Sequence, residues 1–172
     1  MDAAGRDADE ALIALYTTHY RSLVRLSTLL LHDQAAAEDV VQDAFVRVLE
    51  HRQHLGDVRD MRVWLVRIAW NLAIDRCRRK RPEQIDDRFA EGLAAKTASP
   101  HDALHEAQRM KRVLGEIDRL PRAERHILLL SAIEDLTTTE IASILGKSES
   151  AVRALLFRAR TRLRERLQKG GA

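Results

Sequence analysis

The chain has 172 residues, of which 45% are apolar but only 4% aromatic, and its 29 basic and 26 acidic side chains leave a net charge of +3. Few glycines, prolines and aromatic residues favour helices over β-sandwiches and barrels. A single cysteine excludes a disulfide framework within the chain. No apolar run has the length of a membrane span, and the acidic N-terminus differs from a signal peptide. These features predict an all-α, cytoplasmic protein without membrane insertion.

Charge is strongly segregated along the chain. Residues 1–61 carry a net charge of −5 and residues 62–82 one of +6, whereas residues 83–103 carry −3 and residues 104–172 carry +5. If the charged side chains served only to solvate the exposed faces of helices, basic and acidic residues would be interspersed along the chain. Two basic segments, each beside an acidic one, indicate two contacts with a polyanion and at least one contact with a basic partner.

Three helices are predicted in the first part of the chain. Apolar residues recur at helical spacing over residues 10–31, and a second amphipathic helix follows the cap residue Asp33. Residues 56–59 are predicted to form a loop, with Asp60 as the cap of a third helix over residues 61–81. The side chains predicted to face the core of this part include Tyr16, Leu49, Trp64, Leu65, Ile68 and Leu72.

The third helix also carries a basic stripe formed by Arg67, Asn71, Arg78 and Arg81. Such a helix is about 30 Å long, enough to follow most of one turn of duplex DNA. Trp70 lies alongside the stripe, and an exposed indole there would stack on an unpaired base. Periodicity alone leaves both alternatives open for Trp70, the core and the DNA-facing surface.

Residues 82–102 have no clean periodicity and are predicted to be a flexible linker between two domains, residues 1–81 and residues 103–172. The second domain is predicted to start with a helix that includes Leu104 in its buried stripe, and Pro121 suits the first turn of the next helix. Further along the chain, Thr137-Thr138-Thr139-Glu140 has the pattern of a capping box, which predicts the start of a short helix.

The segment after this capping box has the pattern of a helix-turn-helix. Ala142 is small enough for two helices to cross, Gly146 suits a left-handed turn, and Val152 anchors the second helix. The arginines of this second helix favour DNA recognition in the major groove over an ordinary helical hairpin. Ser148 and Ser150 are the candidate caps of the helix, and its polar face carries Arg153, Phe157, Arg160 and Arg164.

Catalytic and metal-binding patterns are weaker. There are two pairs of closely spaced histidines, His51 with His54 and His101 with His105. Each pair could supply two nitrogen ligands to a metal ion, but no third ligand follows at a suitable spacing. Cys77 lies among arginines without a base partner, and the sequence has no glycine-rich phosphate loop. The sequence therefore predicts no catalytic residue, no metal site and no cofactor.

Two blocks of the sequence resemble the extracytoplasmic-function (ECF) sigma factors of bacterial RNA polymerase. Residues 15–26, 37–51 and 61–81 are similar to the family's domain 2, and residues 120–167 are similar to its helix-turn-helix domain 4. The resemblance implies two small helical domains joined by a flexible linker. It also implies a subunit that binds core RNA polymerase, reads the −35 and −10 promoter elements and promotes DNA melting. The alternative is a free-standing helix-turn-helix transcriptional regulator.

The resemblance implies roles for individual residues. The surface that docks on the coiled coil of core polymerase matches Glu38, Asp39, Gln42 and Asp43. The residues that contact the −10 element match Asp57, Arg59, Asp60, Arg67, Trp70, Asn71, Arg78 and Arg81. The residues that meet the −35 element match Ser148, Ser150, Arg153, Ala154, Phe157, Arg158 and Arg160.

The implied partners are the largest subunits of core polymerase, through their coiled coil and flap, together with promoter DNA and an anti-sigma factor. The implied location is the bacterial cytoplasm, at the nucleoid. The sequence departs from the family's usual residues at Trp70, in the turn Ser148-Glu149-Ser150-Ala151, and at Leu155 and Phe157. These departures concern individual base contacts rather than the fold.

Overall fold

The computed structural model describes residues 3–79, 100–133 and 135–169, and every regular element within these ranges is a helix. The chain divides into two compact units, Met1–Glu83 and Gln84–Ala172. The prediction of an all-α protein with two helical domains is confirmed. The elements are α1 (Ala3–Leu31), α2 (Gln34–Glu50), a 3-10 helix (Arg52–Asp57), α3 (Met61–Arg79), α4 (Pro100–Asp118), α5 (Arg122–Ile133), α6 (Thr138–Leu145) and α7 (Glu149–Lys169).

In the first unit, α1, α2 and α3 pack against one another around an aliphatic core. His32 and Asp33 form the short turn between α1 and α2. The Asp33 carboxylate accepts a hydrogen bond from the Ala36 amide at 2.9 Å, so the predicted cap of α2 is confirmed. Burial of each large aliphatic side chain contributes about 1.5–3 kcal/mol. The most deeply buried are Leu23, Leu26, Val40, Val41, Val48, Leu65 and Val66.

The buried face of α3 differs from the predicted one. Trp70 is only 4% exposed, whereas Trp64 is half-buried with its ring edge-on to His51, the ring centroids being 6.4 Å apart. Of the two alternatives left open for Trp70, the core alternative therefore holds, and the resemblance's placement of Trp70 among the −10 contacts is wrong. Because α3 is apolar on two adjacent faces, spacing alone does not decide which face packs against α1 and α2. Leu65 is buried as predicted, Ile68 and Leu72 are half-buried, and the buried face consists of Val63, Leu65, Val66, Ala69, Trp70 and Ala73.

Two other residues predicted to lie in the core, Tyr16 and Leu49, are exposed. Together with Phe45 they line an apolar groove of about 420 Å³ along the seam between α1 and α2. The Tyr16 ring stacks on Tyr20 at a centroid distance of 4.8 Å and meets the Phe45 ring edge-on at 4.9 Å. Aromatic contacts of this kind hold Tyr16 at the rim of the groove.

Several element bounds differ from the predicted ones. The 3-10 helix takes in Gly56 and Asp57, which were predicted to lie in a loop. Helix α4 starts at Pro100, so the last three residues of the predicted linker are helical. Pro121 precedes α5, and its carbonyl accepts a hydrogen bond from the Arg125 amide at 2.9 Å. The remainder of the predicted linker, residues 82–99, lies outside the described residues.

In the second unit, α7 packs against α4, α5 and α6. Two ion pairs support this packing from α7, Arg162 with Glu124 and Arg166 with Glu116, each at 3.5 Å. Leu104 is exposed, contrary to the prediction. The buried core consists mainly of Ala107, Leu114, Leu120, Ile127, Leu128, Leu129, Leu130, Leu136, Ile141, Ala142, Ile144, Val152, Leu156 and Ala159.

We expect Trp70→Ala to lower the free energy of unfolding by about 3–5 kcal/mol, because removal of a buried indole leaves a large cavity. The neighbouring exposed residue provides the control, since Asn71→Ala should change stability by less than about 0.5 kcal/mol. Urea unfolding followed by far-ultraviolet circular dichroism measures both. Equal stabilities of the two variants would contradict the burial of Trp70.

The second unit contains a titratable group whose charge state depends on folding. Burial, with Arg125 and Arg122 nearby, lowers the pKa of His126 from 6.5 to about 4. Between these pH values the unfolded chain binds a proton that the folded chain does not, so stability falls as the pH drops. Because His126 is partly exposed, we expect it to account for a loss of only about 1 kcal/mol between about pH 7 and about pH 5.

Urea unfolding of the protein and of His126→Gln at these two pH values tests this expectation. The variant should lose less stability on acidification than the unmodified protein. The same pH dependence in both proteins would exclude His126 as its source.

Candidate nucleic-acid interface

The helix-turn-helix has the three local features predicted for it. In the capping box, the Thr137 hydroxyl accepts a hydrogen bond from the Glu140 amide at 3.2 Å, and the Glu140 carboxylate accepts one from the Thr137 amide at 2.7 Å. Gly146 ends α6 in the left-handed conformation, with φ at 63°. Of the two candidate caps of α7, Ser148 is the one used, because its hydroxyl accepts a hydrogen bond from the Ala151 amide at 3.2 Å.

Helix α7 turns one face inward and the other to solvent. Val152, Leu156 and Ala159 are buried against the rest of the unit. Phe157 on the outer face is 73% exposed, more than any other large apolar side chain in the described residues. The residues predicted to meet the −35 element thus share one exposed surface, although their contact with DNA stays a prediction. This outer surface consists of Ser148, Ser150, Arg153, Ala154, Phe157, Arg158 and Arg160.

Glu149 organises the start of this surface, a role that was not predicted from the sequence. One of its carboxylate oxygens accepts a hydrogen bond from the Thr139 hydroxyl of α6, and the other lies 3.2 Å from the Arg153 guanidinium. Glu149 therefore links the two helices and orients Arg153. The spacing of four residues between Glu149 and Arg153 signals their ion pair. No sequence signal reveals the contact with Thr139, ten residues earlier.

The arginines of α7 divide into two groups by position. Arg162 and Arg166 point toward α5 and α4, where their ion pairs with Glu124 and Glu116 belong to the packing of the unit. Arg153, Arg158 and Arg160 lie on the outer surface. A helix with this arrangement can meet an anion on the outer side without giving up its internal ion pairs.

An acidic face on α2 lies on the side away from the core of the first unit. Gln42 and Asp43 are exposed, and Glu38 is half-buried. Asp39 forms an ion pair with Arg76 of α3 at 3.2 Å. This pair was not predicted from the sequence, and it contributes at most about 1 kcal/mol because both side chains are partly exposed.

Of the eight residues predicted to contact the −10 element, one is buried, one lies outside the described residues, and six are fully or partly exposed. Trp70 lies in the core and is not part of the surface, and Arg81 lies outside the described residues. Asp60 caps α3, its carboxylate accepting a hydrogen bond from the Val63 amide at 3.0 Å, as predicted. Arg78 lies 3.5 Å from Asp75 in an exposed ion pair. The residues that are fully or partly exposed are Asp57, Arg59, Asp60, Arg67, Asn71 and Arg78.

Two of the side chains considered as a metal ligand or a nucleophile, His51 and Cys77, make contacts with the backbone. His51 Nδ1 donates a hydrogen bond to the Arg47 carbonyl at 2.8 Å, and the Cys77 thiol lies 3.2 Å from the Leu30 carbonyl. Within the described ranges, no three His, Cys, Asp or Glu side chains are grouped so that they could hold a metal ion. None of the helices in those ranges is long and apolar enough to span a membrane.

Two family models match the chain, Sigma-70 region 2 over residues 15–83 and Sigma-70 region 4 over residues 110–163. The chain is 31% identical to the ECF RNA polymerase sigma factor SigW of Bacillus subtilis, over 77% of this chain and 75% of SigW. It is also 31% identical to the ECF RNA polymerase sigma factor SigL of Mycobacterium tuberculosis, over 98% of this chain and 96% of SigL.

Among solved structures, CnrH in complex with the cytosolic domain of CnrY superposes with a TM-score of 0.71 at 25% identity, covering 98% of this chain and 96% of CnrH. The matched regions include the whole first unit from Leu15 as well as the helix-turn-helix, which supports a sigma factor rather than a free-standing regulator. The chain therefore belongs to the ECF RNA polymerase sigma factors of the sigma-70 superfamily.

Proposed function

We propose that the two units of this sigma factor divide promoter recognition between them. The first unit, with its predicted domain of residues 1–81, binds core RNA polymerase through the acidic face of α2 and meets the melted −10 element through α3 and the segment before it. The second unit, with its predicted domain of residues 103–172, reads the −35 element through α7. The observation that carries the proposal is the outer surface of α7, where arginines surround exposed small and aromatic side chains while the inner face completes the core.

The recognition role of α7 follows from its local geometry. The turn and the buried Val152 fix the rotation of α7, so that Arg153 and its neighbours face outward over the first two turns. Residues near the start of the second helix of a helix-turn-helix reach base edges in the major groove. Arginine there binds the O6 and N7 atoms of guanine or an adjacent phosphate.

The acidic face of α2 supports a basic protein partner rather than DNA. Glu38, Asp39 and Asp43 would repel phosphates, and a partner surface rich in lysine and arginine complements them. We assign this face to the coiled coil of the largest polymerase subunits. Opening of the duplex follows from the −10 contacts, among which exposed Arg59, Asn71 and Arg78 can bind the separated strand.

The proposal includes a regulatory protein partner, an anti-sigma factor as the family resemblance implies, and the similar structure of CnrH is likewise a complex with a second protein, the cytosolic domain of CnrY. It places the protein in the bacterial cytoplasm, at the nucleoid with RNA polymerase. It assigns the chain no catalytic step of its own, because unpairing of the bases draws on binding free energy.

The acidic face can be tested by charge reversal. We expect Asp39→Lys combined with Asp43→Lys to abolish co-purification with core RNA polymerase, because two attractions become repulsions. The cost in folding stability should stay near 1 kcal/mol, since only the exposed ion pair of Asp39 with Arg76 is lost.

Asp75→Lys is the matched control for the Asp39 change. Asp75 is also 60% exposed and paired with an arginine, but it lies on α3 rather than on the acidic face. The control variant should still assemble with core polymerase. Normal assembly of the double variant would exclude the acidic face as the docking surface.

Arg153→Ala tests the recognition helix. In holoenzyme binding at fixed salt, we expect this variant to lose about 1–3 kcal/mol on promoter DNA with an intact −35 element and much less on DNA with a scrambled element. The reason is that a guanidinium bound to a base edge senses sequence, whereas one bound to a phosphate does not.

Arg119→Ala is the control for Arg153→Ala. Arg119 is an exposed arginine paired with a glutamate, Glu116, but it lies beyond the end of α4 and not on the outer surface of α7. Its removal should leave the affinity for both templates unchanged. Equal losses on both templates from Arg153→Ala would make Arg153 a phosphate contact.

A further inference from the structure

The centre of the outer surface of α7 is apolar although its edges are basic. Successive residues of an α-helix are rotated by about 100° about its axis. The buried residues Val152, Leu156 and Ala159 therefore define which positions of α7 lie on the opposite, outer face. Ala154 and Phe157 lie among these opposite positions, and neither side chain has a hydrogen-bond donor or acceptor. Arg153 and Arg160 lie on one side of them, and Arg158 lies on the other.

This arrangement limits what the phenylalanine can bind. A protein-docking site usually presents a contiguous apolar patch, whereas here one ring and one methyl group are enclosed by three guanidinium groups. The guanidinium groups favour phosphates and guanine edges on both sides of the ring. The surface between them therefore faces bases, and the base edge that suits an apolar side chain is the 5-methyl group of thymine.

We propose that Phe157, with Ala154 beside it, reads thymine methyl groups in the −35 element and so determines part of the promoter specificity of this sigma factor. The inference rests on the proposed function of α7 and names the bases that α7 selects. The recognised element should carry one or two thymines at its centre, flanked by guanines or phosphates that the arginines contact.

The experiment removes the methyl group from the DNA and the ring from the protein separately. Holoenzyme assembled from the full-length chain and core polymerase first selects duplexes from a randomised DNA library. The selected promoter is then synthesised with each thymine of the −35 element replaced in turn by deoxyuridine. This replacement deletes the 5-methyl group and keeps every hydrogen-bonding atom of the base.

We expect at least one replacement to weaken binding of the unmodified holoenzyme about fourfold, the factor that corresponds to one buried methyl group. Holoenzyme with Phe157→Ala should bind the thymine and deoxyuridine templates equally well. Phe157→Leu, which keeps an apolar side chain, should retain part of the discrimination. Because Phe157 lies outside the core, both variants should assemble with core polymerase as the unmodified chain does.

Two results would overturn the inference. One is that no thymine in the selected −35 element responds to deoxyuridine, and the other is that the response is the same with and without the Phe157 ring. A failure of core assembly in both variants would instead make Phe157 part of a protein interface and would overturn the inference as well.

Arg153→Ala on the same templates separates this inference from the proposed function. If Arg153→Ala weakens binding to the intact −35 element more than to the scrambled one while the deoxyuridine series is flat, only the methyl-reading role fails. If neither Arg153→Ala nor Phe157→Ala weakens binding to the intact element more than to the scrambled one, α7 does not read the −35 element and the proposed function fails.

Discussion

Gly146 joins α6 to α7 through a turn of only three residues, and its left-handed backbone determines the direction in which α7 leaves. A side chain at this position would strain the backbone, even though no neighbouring atom obstructs it. Val152, which is fully buried, then sets the rotation of α7 about its axis. A rotation of α7 by about 100°, the advance of one helical residue, would take Val152 out of the core and move the arginines away from the outer surface. The chemistry of the recognition surface thus depends on this turn.

The first unit separates two surfaces of opposite charge on neighbouring helices. The acidic face on α2 is tied to α3 where Asp39 pairs with Arg76, a residue outside the basic stripe. The core that the helices share is mainly aliphatic and also contains Phe45, Trp70 and the buried polar side chains of Ser27 and Thr28. Screening limits the reach of each surface to about 8–10 Å in physiological salt, so a basic protein and a DNA strand can bind side by side.

The features that the sequence predicted well are those with a local cause. The caps at Asp33, Asp60 and Thr137 and the turn at Gly146 each depend on one side chain and its next few neighbours. The helix phase of α3 depends instead on the faces that α1 and α2 present, and for that reason periodicity left both alternatives open for Trp70. The same holds for Tyr16 and Leu49, which fit a helical stripe but lie at its outer edge. The link from Glu149 to Thr139 arises from the crossing of two helices, which no spacing rule encodes.

The division of the α7 arginines also affects how binding responds to ionic strength. A basic side chain that meets a DNA phosphate releases a condensed counterion, and the logarithm of the affinity falls with the logarithm of salt concentration by about 0.9 per phosphate neutralised. Arg162 and Arg166 are directed toward Glu124 and Glu116 on the inner side of α7, so they do not meet a phosphate and displace no counterion. The salt sensitivity of this unit is therefore weaker than the six arginines of α7 would imply, and sequence-specific contacts contribute a larger share of its affinity.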